Sequence, residues 1–239
     1  MFFWIITCVL IYVLFHNSKT YKLLFHIYYM RKMLALFTLG FDEKFAIRAL
    51  LRRGLRSEDL VTVLIPEKRR DPRTDKAISL LEMFLKTALG EANMHILEIP
   101  IEDFSLAISK IRSYIISRPE RPIYANLSGS MRVLVIETLI AIISTGLDAE
   151  IEVEAEDGSL IVSFRTWEIL PERLDNIDLE ILKRSLEAIS LPELSKQMNM
   201  PKSTVWRRVV SLSKKGLIEI YREGRTMKLK TSRKGSFYI

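Results

Sequence analysis

A short polar segment at 126–132 (Asn-Leu-Ser-Gly-Ser-Met-Arg) carries the residue types in this sequence best suited to binding a charged small molecule. Ser128 and Ser130 offer hydroxyl groups, Gly129 lets the backbone approach a ligand closely, and Arg132 supplies a guanidinium group. A helix is expected to begin directly after the serines, and its first backbone N–H groups are free to bind an anion. These groups hold phosphate oxygens in many proteins, so the segment predicts a phosphate-bearing ligand. An ordinary helix cap and turn is the alternative.

Several enzyme classes are excluded by what the chain lacks. It has one Cys and three His, and from Met33 onward the single His is His95. A disulfide framework and a zinc site of Cys and His are therefore excluded. The segment 39–41 (Leu-Gly-Phe) is not the G-x-G-x-x-G of dinucleotide-binding folds, and 127–129 (Leu-Ser-Gly) is not the G-x-S-x-G of a nucleophile elbow. We expect no metal site and no resident cofactor.

The charge is divided unevenly along the chain. The whole protein has a net charge of +7, yet residues 33–170 hold 17 basic and 21 acidic residues, a net −4. Residues 201–239 hold 11 basic and 2 acidic residues, a net +9. This division predicts a small basic module that binds nucleic acid, joined to a larger acidic one.

Strand-like and helix-like patterns alternate from Met33 to Phe164, which predicts a doubly wound α/β domain with a mostly parallel, Rossmann-like sheet. The predicted strands are Leu34–Thr38, Val61–Ile65, Met94–Ile99, Ile123–Asn126, Ala149–Val153 and Leu160–Phe164. The predicted helices are Asp42–Leu55, with Asp42 as its cap, Thr74–Leu89, Asp103–Ser117 and Met131–Thr145.

If the strand order is 3-2-1-4-5, the carboxyl ends of the first and fourth strands lie side by side where the order reverses, and ligands bind at that point in such sheets. The first strand brings Thr38, Leu39, Gly40 and Phe41 there. The fourth strand brings Asn126, Leu127, Ser128, Gly129, Ser130, Met131 and Arg132. We expect these two groups to form one ligand site.

The last 62 residues, from Asp178, are predicted to form a small winged helix-turn-helix domain of the α+β class. A helix at Ile177–Ile189, capped at Asp178, is followed by a second helix that ends near Met198 and a third that runs from Pro201 to Lys215. A hairpin follows, made of Leu217–Tyr221, a tip at 222–225 and Thr226–Thr231.

The third helix would enter the major groove of DNA. Arg207 is the leading candidate for reading a base, because a guanidinium pairs with guanine through two hydrogen bonds. The predicted DNA-binding residues are Lys202, Ser203, Thr204, Trp206, Arg207, Arg208, Lys214 and the wing residues Arg222, Arg225 and Lys228. Trp206 could equally be a packing residue, and a winged helix used for protein contacts is the alternative for the whole domain.

Helix 131–145 is apolar on nearly every face. A helix on an open sheet usually keeps one polar side, so this composition predicts a dimer interface.

The first 32 residues do not fit the pattern of the rest. Residues 1–15 are apolar except for Thr7, which is too short for a membrane span of about 20 residues. An overlong gene start, with translation from Met30 or Met33 and a cytoplasmic protein, is favoured over a membrane anchor and a packing helix.

The sequence resembles archaeal CRISPR-associated transcriptional regulators. These proteins join a CRISPR-associated Rossmann-fold (CARF) sensor to a winged helix-turn-helix. The resemblance rests on 36–42 (Leu-Phe-Thr-Leu-Gly-Phe-Asp), on 126–132 and on the order of domains. It covers 33–165 as sensor, 166–177 as linker and 178–239 as DNA-binding domain, with 1–32 a leader without counterpart.

The resemblance implies a homodimer that binds a cyclic oligoadenylate, with cyclic tetra-adenylate favoured, and regulates CRISPR-associated genes on promoter DNA. Gly40, Phe41, Ser128, Gly129, Ser130 and Arg132 match its ligand positions. Some CARF domains are ring nucleases that cleave this ligand, and Arg132 with Ser128 or Ser130 would then be catalytic. A membrane-tethered regulator using 1–15 is the third alternative.

Overall fold

The computed structural model describes residues 32–68, 71–90, 93–224 and 226–239, and the chain divides into two compact units at Ser163/Phe164. The predicted leader and the predicted membrane anchor lie outside the described residues.

The first unit alternates strands with helices. Its strands are β1 (Leu34–Thr38), β2 (Leu60–Pro66), β3 (Met94–Ile99), β4 (Ile123–Asn126) and β5 (Ala149–Glu154), with β6 (Ile161–Arg165) crossing the boundary between the units. Its helices are α1 (Lys44–Arg53), α2 (Pro72–Leu89), α3 (Phe104–Ser117) and α4 (Arg132–Ser144). The sheet order is β3-β2-β1-β4-β5-β6, and the pairs from β3 to β5 are parallel. The predicted order is confirmed.

The middle of this sheet is apolar because helices cover it. Every residue of β1 and β2 is buried, as parallel strands covered on both faces require. Leu81 and Leu85 of α2 pack into the core beside these strands. Helices α2 and α3 begin at polar caps: the carboxylate of Asp71 accepts a hydrogen bond at the start of α2, and that of Asp103 does so at the start of α3. The prediction that Asp42 is the cap of α1 is wrong, because Glu43 is the N-cap residue and its side chain makes no cap hydrogen bond. Asp42 lies one residue earlier and accepts the N–H of Lys44 at 2.9 Å.

The second unit has the predicted helix-turn-helix and wing. Its elements are α5 (Thr166–Ile169), α6 (Asn176–Arg184), β7 (Ile189–Ser190), α7 (Leu191–Met198), α8 (Lys202–Lys214), β8 (Ile218–Glu223), β9 (Thr226–Thr231) and a 3₁₀ turn at Gly235–Tyr238. The three strands form a sheet of order β7-β9-β8. Helix α5 and the start of α6 lie within the segment 166–177 that we predicted as a linker.

The predicted helix Ile177–Ile189 is wrong at both ends. It begins one residue earlier, and Asp175 rather than Asp178 is its cap: the Asp175 carboxylate accepts the N–H of Asp178 at 2.8 Å. It ends at Arg184, and the residues that follow form hydrogen bonds with β9 instead. The Thr231 N–H donates to the carbonyl of Ser185, and Ile189 pairs with Leu229 in a strand.

Candidate ligand site and nucleic-acid interface

The loops that follow β1 and β4 pack against each other backbone to backbone. A Cβ atom on Gly40 would lie 2.9 Å from the Cα of Ser130, and a Cβ on Gly129 would lie 2.7 Å from the carbonyl oxygen of Thr38. Neither contact leaves room for a side chain, so both glycines are needed for this approach. The structure therefore brings together the two groups of residues that the sequence predicted as one site.

Buried and partly buried hydrogen bonds fix the shape of the β4 loop. The hydroxyl of Thr38 donates to the carbonyl of Gly129 at 2.7 Å. The side chain of Asn126 accepts the N–H of Ser128 at 3.2 Å and donates to Glu152 at 3.1 Å. The hydroxyl of Ser128 accepts the backbone N–H of Glu154 at 2.8 Å. The loop is thus held to β1 on one side and to β5 on the other.

Ser130 and the start of α4 have the features of an anion site. Ser130 has a φ of +83°, a left-handed conformation that is uncommon for residues other than glycine. Its hydroxyl oxygen is buried and has no hydrogen-bond partner among the described residues. Met131 is the N-cap of α4 and gives no side-chain cap, and Arg132 follows it, exposed. None of the serines caps α4 as the alternative explanation required, and the loop presents N–H groups, a hydroxyl and a guanidinium.

The eleven predicted ligand residues divide into two sets. Five are buried and shape the loops: Thr38, Leu39, Asn126, Leu127 and Gly129. Six are at least partly exposed and could touch a ligand: Gly40, Phe41, Ser128, Ser130, Met131 and Arg132.

An ion-pair ladder that the sequence analysis missed connects the β4 loop to α1 through β5. Arg52 of α1 binds both Glu152 and Glu154 of β5, and Arg48 binds Glu154. Two patterns in the sequence indicate this network. Glutamates alternate along β5 and so lie on one face of the strand, and Arg48 and Arg52 are four residues apart on one face of α1. Glu152 and Glu154 also hold Asn126 and Ser128, so the ladder joins α1 to the loop.

A second missed feature lies beside the β1 loop. The guanidinium carbon of Arg73, in the first turn of α2, lies 3.9 Å from the centre of the Phe41 ring. Asp71 binds the same guanidinium at 3.1 and 3.0 Å. The side chain of Arg73, together with its backbone N–H, holds the pKa of Asp71 below its usual value. Phe41 was predicted from its place after β1, but its partner Arg73 comes from the start of α2.

Helices α7 and α8 form the helix-turn-helix. Asn199, with a φ of +50°, ends α7, and the hydroxyl of Ser195 donates to the carbonyl of Met200 across the turn. Val205, Val209 and Leu212 of α8 point into the core as the spacing predicted. The exposed or partly exposed residues at the start of α8 are Lys202, Ser203, Thr204 and Arg207, and Lys214 is exposed at its end.

Two of the predicted DNA-binding residues on α8 have contacts within the domain. The guanidinium of Arg208 binds Asp175 at 2.7 Å and Asp178 at 2.8 Å, which ties α8 to the start of α6. Trp206 is half-buried and packs against the core of this unit. Arg207 is exposed and pairs with no acidic residue among those that the structure describes.

The wing is the hairpin of β8 and β9. Arg222 is exposed, and Lys228 is half-buried with its ammonium 4.0 Å from Glu223. Arg225 lies outside the described residues.

Within the described residues no cluster of His, Cys, Asp and Glu could hold a metal ion. Over the same residues, no helix has both the length and the apolar character to cross a membrane.

Comparison with known families agrees with this architecture. Residues 33–165 match the model of the Csa3 CRISPR-associated Rossmann-like domain, which is more than half of the chain. The chain belongs to this Csa3 family. Residues 179–219 match the IclR helix-turn-helix domain, so the Csa3 domain is followed by a helix-turn-helix in the same chain.

The chain is similar to one relative in sequence and to two solved structures. The CRISPR locus-related protein Csa3 of Saccharolobus solfataricus, whose name provisionally describes it as DNA-binding, is 28% identical over 189 residues, 76% of this chain and 77% of the relative. Protein VC1899 of Vibrio cholerae is 12% identical with a TM-score of 0.44, over 86% of this chain and 64% of its own. Can2 of Sulfobacillus thermosulfidooxidans, solved with cyclic tetra-adenylate, is 10% identical with a TM-score of 0.43, over 86% of this chain and 61% of its own. The chain thus spans less than two thirds of the length of these two structures.

Proposed function

We propose that this Csa3-family protein is a DNA-binding transcriptional regulator of CRISPR-associated genes whose activity responds to a cyclic oligoadenylate. The observation that carries the proposal is that one chain joins the Csa3 Rossmann-like domain to a helix-turn-helix with an exposed basic recognition helix.

The basic charge of the second unit supports binding to DNA. Residues 201–239 carry a net +9, and Lys202, Arg207 and Lys214 are exposed on α8. Lysine and arginine that neutralise DNA phosphates release counterions, which gives affinity that falls steeply with salt. Arg207 is the residue we propose to contact a base, and Lys202, Lys214 and Arg222 are proposed to contact phosphates.

The loops after β1 and β4 support a ligand that carries several phosphates. The unpartnered hydroxyl of Ser130, the uncapped start of α4 and the exposed Arg132 are close together in the chain and in space, and all three favour an anion. A cyclic oligoadenylate offers phosphates at regular intervals around a ring. Cyclic tetra-adenylate is the ligand we propose, on the resemblance of 36–42 and 126–132 to CARF sensors.

A homodimer is part of the proposal. Val133, Ile136 and Ile140 lie at positions i, i+3 and i+7 of α4 and form one exposed apolar face. Another side of α4 is covered, because Leu134, Ala141 and Ile142 are buried in the unit. A second copy of this face would bury the apolar side chains and bring two β4 loops close to one two-fold axis.

The test measures DNA binding with and without the ligand. Fluorescence anisotropy of the full chain on promoter DNA from a CRISPR-associated gene is compared with DNA of scrambled sequence, each with cyclic tetra-adenylate, cyclic hexa-adenylate or linear tetra-adenylate. We expect preference for the promoter and a change in its affinity with one cyclic ligand only. Equal affinity for both DNAs, or no effect of any ligand, contradicts the proposal.

Chromatography of the ligand after incubation separates sensing from cleavage. We expect the ring to remain intact. Linear products that disappear in Arg132→Ala would assign the ring nuclease alternative instead.

A further inference from the structure

Phe41 is an exposed aromatic ring beside the proposed phosphate site. The residue is 54% exposed, although phenylalanine is usually buried. Gly40, the residue before it, is in backbone contact with Ser130. The ring therefore stands next to the loop that we propose binds phosphate.

The Arg73 guanidinium covers one face of this ring. Its central carbon lies 3.9 Å from the ring centre, within the range of a stacked cation–π contact. A guanidinium over one face of the ring, in a residue that is still more than half exposed, is compatible with a second planar group on the opposite face.

Arg73 is itself held in place. Asp71 accepts two hydrogen bonds from its guanidinium, at 3.1 and 3.0 Å, and one from its backbone N–H at 2.8 Å. The paired carboxylate balances the charge of Arg73. This arrangement suits a group that orients a neighbouring ring better than one that binds a phosphate.

We propose that Phe41 is a stacking platform for an adenine base of the ligand, and that Arg73, held by Asp71, is the positioning residue that fixes the orientation of the ring. This inference rests on the proposed function and adds a base-recognising element to it. Every nucleobase has a face that can stack on an aromatic ring. A purine has two fused rings and a pyrimidine one, so we expect adenine to stack over a larger area than uracil.

Calorimetry with two ligands of the same ring and charge, cyclic tetra-adenylate and cyclic tetra-uridylate, tests this. We expect the wild-type chain to bind the adenylate ring more tightly. Phe41→Leu should weaken adenylate binding by about fivefold to 150-fold, the range of one lost base stack, and uridylate binding much less. Phe41→Tyr should restore most of the affinity. Arg73→Ala should also lower the ratio of the two affinities, by a smaller factor than Phe41→Leu.

Two matched variants control for general effects. Phe237→Leu changes a phenylalanine of the same 54% exposure in the second unit, and Lys86→Ala breaks an exposed ion pair at the other end of α2. Neither should change the ratio. Equal losses for both ligands in Arg73→Ala would assign it a phosphate contact and overturn the positioning role.

The outcomes separate this inference from the proposed function. Adenylate binding that is normal in Phe41→Leu overturns the platform while the proposed sensor stands. A wild-type chain that binds neither ring overturns both.

Discussion

At the scale of single residues, Thr38 joins the two loops of the candidate site. Its hydroxyl is buried and donates to the carbonyl of Gly129 at 2.7 Å, across 91 residues of sequence. Its position at the end of a predicted strand made Thr38 a ligand candidate, but at 3% exposure it acts on the loop rather than on a ligand. The sequence could place it at this edge, yet no pattern in one chain indicates which carbonyl a buried hydroxyl will meet.

Thr38→Val should destabilise the fold and weaken ligand binding together. The change removes the only side-chain hydrogen bond that the described residues give to the Gly129 carbonyl, and an unpaired buried carbonyl costs about 1–3 kcal/mol. Urea unfolding measures the loss of stability, and calorimetry with cyclic tetra-adenylate measures the affinity.

The matched control is Thr138→Val. Thr138 is also buried, but its hydroxyl donates to Leu134 within α4, where the carbonyl already serves the helix. We expect a smaller loss of stability and unchanged ligand affinity. Equal effects of the two variants on affinity would remove Thr38 from any role in the site.

Glu137 is a buried acid without a partner. It lies in α4, is fully buried, and neither carboxylate oxygen has a hydrogen-bond partner among the described residues. Burial raises the pKa of Glu137 above its usual value. Because the folded state favours the protonated form, this acid is least costly below its unfolded pKa of about 4.3 and destabilises the fold as the pH rises through its folded pKa.

Glu137→Gln should therefore be more stable than the wild-type chain at pH 7, and this advantage should shrink as the pH falls toward 4. Chemical unfolding of both proteins at several pH values measures it. A difference in stability that stays constant from pH 4 to pH 8 would show that the carboxylate does not titrate across the transition.

At the scale of secondary structure, local sequence pattern sets the bounds of some elements, and tertiary pairing sets the bounds of others. Strands β3 and β4 have the bounds that their short apolar runs predicted. The helix predicted at Ile177–Ile189 failed because Ile181, Leu182, Leu186 and Ile189 keep a helical spacing beyond the true end of α6. The exposed Leu186 and the pairing of Ile189 with Leu229 show that β9 ended the helix, and such a partner cannot be read from local periodicity.

The adjacent arginines of α8 should have different roles: we expect Arg207 to contact DNA and Arg208 to stabilise the domain. Arg207→Ala should weaken binding to promoter DNA by about 1–3 kcal/mol, as for a residue that pairs with a base, and leave the unfolding midpoint unchanged. Arg208→Ala should lower the unfolding midpoint, because it breaks the pairs with Asp175 and Asp178.

Anisotropy at several salt concentrations and urea unfolding of both variants measure these effects. The Asp175 pKa is lowered by the Asp178 N–H and by Arg208, so the contribution of this pair should be present above the unfolded pKa of Asp and lost as the pH falls through the lower folded value. Loss of DNA affinity in Arg208→Ala, with a shallower salt dependence and normal stability, would make Arg208 the phosphate contact first predicted.

At the scale of the whole molecule, charge and apolar surface point to different partners. The net +9 of residues 201–239, against the net −4 of residues 33–170, favours the second unit as the part that binds DNA. The sequence was sufficient for this division, since it needs only the positions of charged residues. It was also sufficient to single out α4 as unusually apolar, whereas the structure was needed to show which residues of α4 remain exposed.

The exposed face of α4 should hold two copies of the chain together. Ile136→Glu places a charge at the centre of the face formed with Val133 and Ile140, and burying an unpaired carboxylate against a second copy is strongly unfavourable. Sedimentation velocity should show a dimer for the wild-type chain and a monomer for this variant. Leu106→Glu on α3, where Leu106 is similarly exposed, is the control and should remain dimeric.

If two β4 loops share one ligand, the monomeric variant should also lose affinity for cyclic tetra-adenylate. A monomeric variant that binds the ligand as tightly as the wild-type chain would show that one copy holds the complete site.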